Sequence, residues 1–365
     1  MIIFFLIFIP LQSVLAAKYY WGEPFIYAFL ATKAWTFSIV AIVFFYQLKK
    51  RNITLYQIND ILITIAWTQF ICYTLIGIFF TPHNPDVSYQ ECNDVKGGCF
   101  YAFDMLFICY ALLFYFFKFF KTNSYKYLVY AILFFAYIFF FYQKRSLNIT
   151  LIGTIGIYFL FNVSLKKKIV YSFTLISFLV ISFGLIYFLE PAVIHHLLKA
   201  YGNIVDFVEG QKVQEASAGS RVKQVIISGL FLARNPSSFF FGNGQWSNHW
   251  GGNPQMMFGR YYPNEVGILG MWVTYGLIGI LVVQLEFLLP YLWIRKVKIN
   301  KNDLLFQTCK YYMVFYWIKS LPTGGSYSEP GLGAPFIFIT MLFFFYYIEK
   351  NPHLGYTKGD DKISL

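Results

Sequence analysis

Charge is scarce in this chain. Only 13% of its 365 residues are charged and only 17 are acidic, while 58% are hydrophobic. No soluble domain hides that much apolar surface, so the composition excludes one and points to a polytopic membrane protein. The basic excess, net +12, would suggest nucleic acid in a soluble protein. Here the cations sit in clusters between apolar stretches, the pattern that orients membrane proteins, so nucleic acid is excluded. Cysteine is sparse, with five copies. Cys72, Cys109 and Cys309 fall in apolar stretches and read as packing residues. Cys92 and Cys99 share a polar stretch, where a disulfide is expected. A zinc site beside His83 lacks a fourth ligand. Nucleotide motifs are missing too: no Lys-Ser/Thr follows Gly242-Asn243-Gly244, so there is no phosphate loop. There is no internal repeat and no low-complexity tail.

What is present is a series of apolar segments, at about 2–17, 24–48, 58–80, 101–120, 125–142, 147–163, 169–190, 264–293, 304–320 and 333–349. With about 20 apolar residues needed per crossing, they read as about ten transmembrane helices. The first could be a signal peptide cut at Ala16-Ala17. It lacks a basic leader, so a retained helix is expected. The expected fold is an all-α polytopic membrane protein forming a single integral domain over 1–365. The many Phe and Tyr, 44 and 30, read as lipid-facing bulk and interfacial belts.

Lysine and arginine set the orientation. With the N-terminus in the cytoplasm, the inner loops hold Lys49-Lys50-Arg51, then Lys118, Lys121 and Lys126, then Lys166-Lys167-Lys168. Arg295, Lys296, Lys298 and Lys301 follow, and the tail adds Lys350, Lys358 and Lys362. These are 16 of the 29 basic residues. Both termini are then cytoplasmic, and the one long loop, 191–263, lies on the outer side. Two charges stand inside apolar segments, Glu286 and Lys310. Each lies seven residues from an inner helix end on consecutive antiparallel helices. Such charges are costly unless partnered, so they are expected to pair.

The outer loop carries most of the polar chemistry. Ser220 is expected to cap an amphipathic helix that lies at the outer interface and whose first residue is Arg221, with an apolar stripe of Val222, Val225, Ile226, Gly229 and Leu230. A helix N-terminus with an adjacent Arg is a good anion site. Asn235-Pro236 stops the helix. Arg234 lies thirteen residues on, about 20 Å away along a straight helix. Arg260 precedes the eighth span. Trp246, His249 and Trp250 suit either stacking on sugar faces or anchoring at the interface. Gly267, Gly270, Gly276 and Gly279 line the eighth span at spacings that suit close helix contact.

Three motifs together resemble the superfamily of O-antigen polymerases and ligases, the Wzy-type enzymes that handle undecaprenyl-pyrophosphate-linked glycans. The first is Gly219-Ser220-Arg221. The second is Arg234-Asn235-Pro236 followed by Phe241-Gly242-Asn243-Gly244. The third is Pro263-Asn264-Glu265 followed by Tyr275-Gly276-Leu277-Ile278-Gly279. The likeness covers about sixty residues. Family members often place His directly before the Asn, where this chain has Pro263, a departure that favours polymerase over ligase.

The resemblance implies a metal-independent glycosyltransferase without cofactor, in the bacterial inner membrane with its active loop periplasmic. It would join undecaprenyl-pyrophosphate-linked repeat units into O-antigen or a related surface polysaccharide. Donor and acceptor each bring a pyrophosphate, and Ser220, Arg221, Arg234 and Arg260 are the expected binding residues. Asn264, Trp246 and Trp250 are expected to contact glycan. The catalytic set is Arg221 with a base, Glu265 ahead of His249; Asp206, Glu209 and Glu215 are outsiders. A Wzz-type chain-length co-polymerase and membrane lipids are the implied partners. The alternatives are ligation of glycan to lipid A core and lipid-linked glycan transport. Transport fits less well, because no symmetric halves are visible. The orientation is tested by reporters: one fused after Lys168 should be cytoplasmic and one at Gly210 periplasmic. Exchanged signals would overturn the span count.

Overall fold

The computed structural model describes residues 2–79, 90–93, 98–101, 105–142, 145–163, 216–234, 236–247, 249–252, 261, 263–298, 302–321 and 333–351. The expected span at 169–190 and residues Asp206, Glu209, Glu215 and Arg260 lie outside them. At Ser220, Arg221, Asn264 and Glu265 the description is of the backbone. The contacts divide the chain into two compact units, one of 1–64 with 221–365 and the other of 65–220.

The described chain is helical, apart from one hairpin. In the first unit α1 (Ile2–Trp21), α2 (Phe25–Ala31), α3 (Ile39–Lys49) and the start of α4 (Leu55–Phe79) come first. Most of α8 (Ala216–Arg234), α9 (Pro236–Phe241), α10 (Gly267–Ile294), α11 (Leu304–Ser320) and α12 (Gly333–Lys350) complete it. The second unit holds the rest of α4, strands β1 (Gln90–Asn93) and β2 (Gly98–Tyr101), α5 (Leu106–Thr122), α6 (Tyr125–Ala136) and α7 (Arg145–Asn162). Among the described residues two helices are long and apolar enough to cross a membrane, Leu55–Ile76 and Gly267–Ile294.

The expected span at 24–48 is not one helix. It breaks into α2, a 3₁₀ stretch at Lys33–Ser38, and α3. The side-chain hydroxyls explain the break. Thr32, Thr36 and Ser38 each donate to the carbonyl three residues back, at 3.0, 2.5 and 2.7 Å. Hydroxyls that bond their own backbone compete with the α-helical ladder. The interior also takes more of the aromatics than expected. Trp35, Tyr110, Tyr275, Tyr312, Tyr316 and Phe117 are among the largest fully buried side chains. In the second unit Trp67 Nε1 donates to Tyr115 Oη at 3.0 Å, and the Phe117 and Tyr158 rings stack at 3.8 Å. The hairpin sets Cys92 directly opposite Cys99. Opposed residues of an antiparallel pair have Cα atoms about 4.5–5.5 Å apart, a separation a disulfide can span.

Asp303 caps α11: its Oδ1 accepts the Phe306 N–H at 3.0 Å, and its Oδ2 accepts Tyr56 Oη–H at 2.7 Å. That ties the start of α4 to the start of α11. The expected Glu286–Lys310 pair is not made. Glu286 is fully buried and neither carboxylate oxygen has a hydrogen-bond partner, while Lys310 Nζ lies 4.7 Å from the ring centre of Tyr311.

The central feature is a break in α10. At Gly276 the backbone takes φ 66° and ψ −179°, a region open essentially to glycine alone. The break frees carbonyls of the preceding turn, and the segment after α9 fills the gap. Asn243 N donates to Val273 O at 2.7 Å, Gly244 N to Thr274 O at 2.9 Å, and Asn243 Nδ2 to Val273 O at 3.1 Å. Gln12 Nε2 of α1 reaches the carbonyls of Tyr275 and Phe241. Gly242 (φ 73°) meets Gly276 backbone to backbone. A Cβ on Gly242 would fall on Thr274 O and Gly276 N; one on Gly276 would fall on Gly242 N and Phe240 O. We therefore expect Gly276→Ala to cost at least about 1–3 kcal/mol from backbone strain alone, with the collision added. Thermal unfolding of the detergent-purified variant measures this. A midpoint equal to wild type would show that the break does not require glycine.

Candidate functional site

The loop that leaves this interlock passes between α1 and α10. Gln245 N donates to Ser13 Oγ at 2.7 Å, and Gln245 Oε1 accepts from Tyr275 Oη at 2.9 Å. Tyr275 Oη accepts in turn from Trp35 Nε1 at 3.0 Å. Trp246 then enters a cluster with Val14, Ala17, Ala28, Ile227, Phe231, Tyr261 and Val273, with Trp21 packed against it. The Trp246 ring lies 5.6 Å from Trp21 and 5.2 Å from Phe231. Trp246 is thus buried in a core and does not offer its face to a sugar or to the interface. The cause is the anchored backbone on either side, since Gln245 and Ser247 are both tied to the α1 region.

Ser247 is held by a residue the sequence reading passed over. Its N–H donates to Glu23 Oε1 at 2.9 Å. Glu23 lies between α1 and α2, has no exposed surface, and its Oε2 has no hydrogen-bond partner. Burial pushes its carboxyl up from 4.5 to about 7, with the Ser247 N–H pulling the other way. One signal was available in the sequence: Glu23 is the sole acidic residue before Asp60.

Arg234 ends α8. It is exposed, and its guanidinium lies over the Trp21 ring at 4.5 Å. A cation stacked this way is oriented by the ring while its donors stay available. The helix is unbroken from Ala216 to Arg234, so Arg221 and Arg234 stand about 20 Å apart along it. The helix stops at Arg234 and α9 begins on Pro236, as the Asn-Pro step requires.

One expectation about α8 is corrected. It starts at Ala216, four residues before Ser220. Ser220 is therefore not its cap, and Arg221 does not stand at its N-terminus. The four N–H groups without an intrahelical partner belong to Ala216–Gly219. Alanine at 216 and 218 favours this earlier start. The apolar stripe faces outward, the side that a helix lying at an interface turns to lipid. Val225, Ile226 and Leu230 are exposed, whereas Gln224, Ile227, Ser228 and Phe231 are buried. Ser228 Oγ meets Tyr261 Oη at 2.9 Å within that buried face.

The remaining expected residues are dispersed. His249 is exposed, and its N–H donates to Ser247 Oγ at 3.2 Å. Trp250 is half-buried, its N–H on Ser247 O at 3.2 Å. Asn264 and Glu265 occupy a 3₁₀ turn, Pro263–Val266, that leads into α10. The structure brings together Arg234 and Trp246 with Trp21 and Glu23. No protein-family model and no curated protein matches the chain.

The Glu23 carboxyl predicts a pH dependence. The unfolded chain releases this proton near 4.5 and the folded chain near 7. Between those values the folded state binds more protons, so stability falls as pH rises through the window and levels off above it. The effect is at most about 3 kcal/mol. Glu23→Gln keeps an acceptor for Ser247 N–H and should abolish that part of the slope. Thermal midpoints across pH 4.5–7 that fall equally in both proteins would rule Glu23 out as the source.

Proposed function

We propose that this chain is a membrane glycosyltransferase that polymerises undecaprenyl-pyrophosphate-linked repeat units into O-antigen or a related surface polysaccharide. One observation supports the reading above others. Two of the three motifs that carry the resemblance, Phe241-Gly242-Asn243-Gly244 and Tyr275-Gly276, are joined backbone to backbone. Residues far apart in the chain but matched in the motifs thus meet in one structural unit. Arg234 stands at the end of α8 directly before it. The reading carries with it about ten spans, an inner-membrane location, cytoplasmic termini and a periplasmic 191–263 loop.

The chemistry is a displacement at the anomeric carbon. The acceptor hydroxyl oxygen forms a bond to that carbon, and the bond from carbon to the diphosphate oxygen breaks. The lipid diphosphate leaves with the electron pair, and a base takes the hydroxyl proton. Charge builds on the departing diphosphate, so cations there accelerate the step. Arg221 and Arg234 are too far apart for one diphosphate and suit one lipid each; Arg260 could join either. Glu265 and His249 are the candidate bases, and a Wzz-type co-polymerase would set chain length.

Purified protein supplied with lipid-linked repeat units should produce a ladder of longer glycans. Arg221→Lys should fold and insert normally yet lose ten- to a hundredfold in rate, roughly the worth of one charge-assisted hydrogen bond at the transition state. Lysine cannot present the planar two-donor fork. An absent ladder with wild-type protein would overturn the proposal; wild-type rates from Arg221→Lys would remove that residue from it.

A further inference from the structure

Three buried polar atoms around the end of α1 lack any hydrogen-bond partner: Glu23 Oε2, Trp21 Nε1 and Trp246 Nε1. They belong to one neighbourhood. The two indole rings are 5.6 Å apart, and the Glu23 carboxylate is bonded to the residue after Trp246. Buried polar groups left unpaired are costly, and each such group in a folded protein calls for a reason. Three in one cluster define what would satisfy them. Two are N–H donors that need an acceptor, and the third, once the carboxyl has ionised above its value of about 7, is a carboxylate oxygen that needs a donor. A phosphate offers acceptors only. A metal ion or an ammonium group cannot serve the indoles. A hydroxyl group donates and accepts at once. At the rim of the cluster, the Arg234 guanidinium is laid over the Trp21 ring, where it would meet an anionic group attached to such a ligand.

We propose that Glu23, Trp21 and Trp246 form a saccharide-hydroxyl site, with Arg234 reading the phosphate-bearing end of the same ligand. The assignment to a lipid-linked glycan rests on the polymerase reading; the hydroxyl preference rests on the three atoms alone. The site uses the edge of Trp246, not its face, which is packed in the core. Glu23 fixes the loop through Oε1 and meets the ligand through Oε2, so one carboxylate couples loop position to saccharide.

The full-length protein in detergent, labelled with ¹⁵N at its eight tryptophans, provides the test. Trp21→Phe and Trp246→Phe assign the two indole N–H signals. With the pH held well above 7, where the Glu23 carboxyl is ionised, two soluble probes are titrated, the repeat-unit oligosaccharide freed from its lipid and inorganic pyrophosphate. The saccharide should shift both signals and pyrophosphate should shift neither. Glu23→Gln, which keeps the Ser247 contact, should weaken saccharide binding about tenfold. Equal shifts with pyrophosphate would make this a phosphate site and overturn the proposal. Signals moved by neither probe would mean that ordered water satisfies the three atoms, which also overturns it. Polymer formed by a protein whose two indoles stay unmoved would leave the polymerase standing and remove this site. Saccharide binding without any polymer would do the reverse.

Discussion

Everything in the first unit depends on a broken helix being repaired by another segment. α10 cannot continue through Gly276, and its freed carbonyls lie well inside an apolar helix. Such groups cannot be left without donors where water is absent. The Gly242–Gly244 turn and the Gln12 side chain supply them. The repair works only because two glycines let two backbones touch. Once the turn is seated, the next residues have little freedom: Gln245 is tied to Ser13, Trp246 is packed, and Ser247 reaches Glu23. A site at the end of α1 is thus positioned by a contact deep along the same helix.

The sequence made some of this legible and hid the rest, for physical reasons. The boundary at Arg234-Asn235-Pro236 was readable because proline's missing N–H acts locally. The Gly242 and Gly276 motifs were readable as special, but not as partners, because nothing local says that two glycines thirty-four residues apart will touch. The period of α8 and the outward turn of its apolar stripe were readable; the polar residues on its buried face were not. In water an apolar stripe turns inward. Beside lipid the sorting force vanishes, and the buried face can hold Gln224 and Ser228 while Val225, Ile226 and Leu230 face out.

The break in the second apolar stretch shows the same limit. Hydropathy over 24–48 suggested one long helix because window averages ignore hydroxyls that bond their own backbone. Thr32, Thr36 and Ser38 do so in succession. Glu23 was overlooked for a related reason. Chemistry-bearing residues are dense in the long polar loop and sparse elsewhere. A single carboxylate between two apolar helices carries no pattern, and its importance comes only from what folds onto it.

The repaired helix also fixes an order of assembly. Gln12 and the Tyr275 carbonyl it caps are 263 residues apart, and Trp35 and the Tyr275 hydroxyl are 240 apart. Closing loops of that length is entropically costly and slow. During synthesis α1 exists long before its partners. The turn at 242–244 emerges next, and α10 only after that. For that interval Gln12 and Ser13 wait without the groups they will bond, on a helix already made. The chain therefore carries its most demanding polar contacts as unfinished business until its final third is made. A chaperone or insertase that shelters α1 meanwhile would act on folding yield and leave the finished protein unchanged.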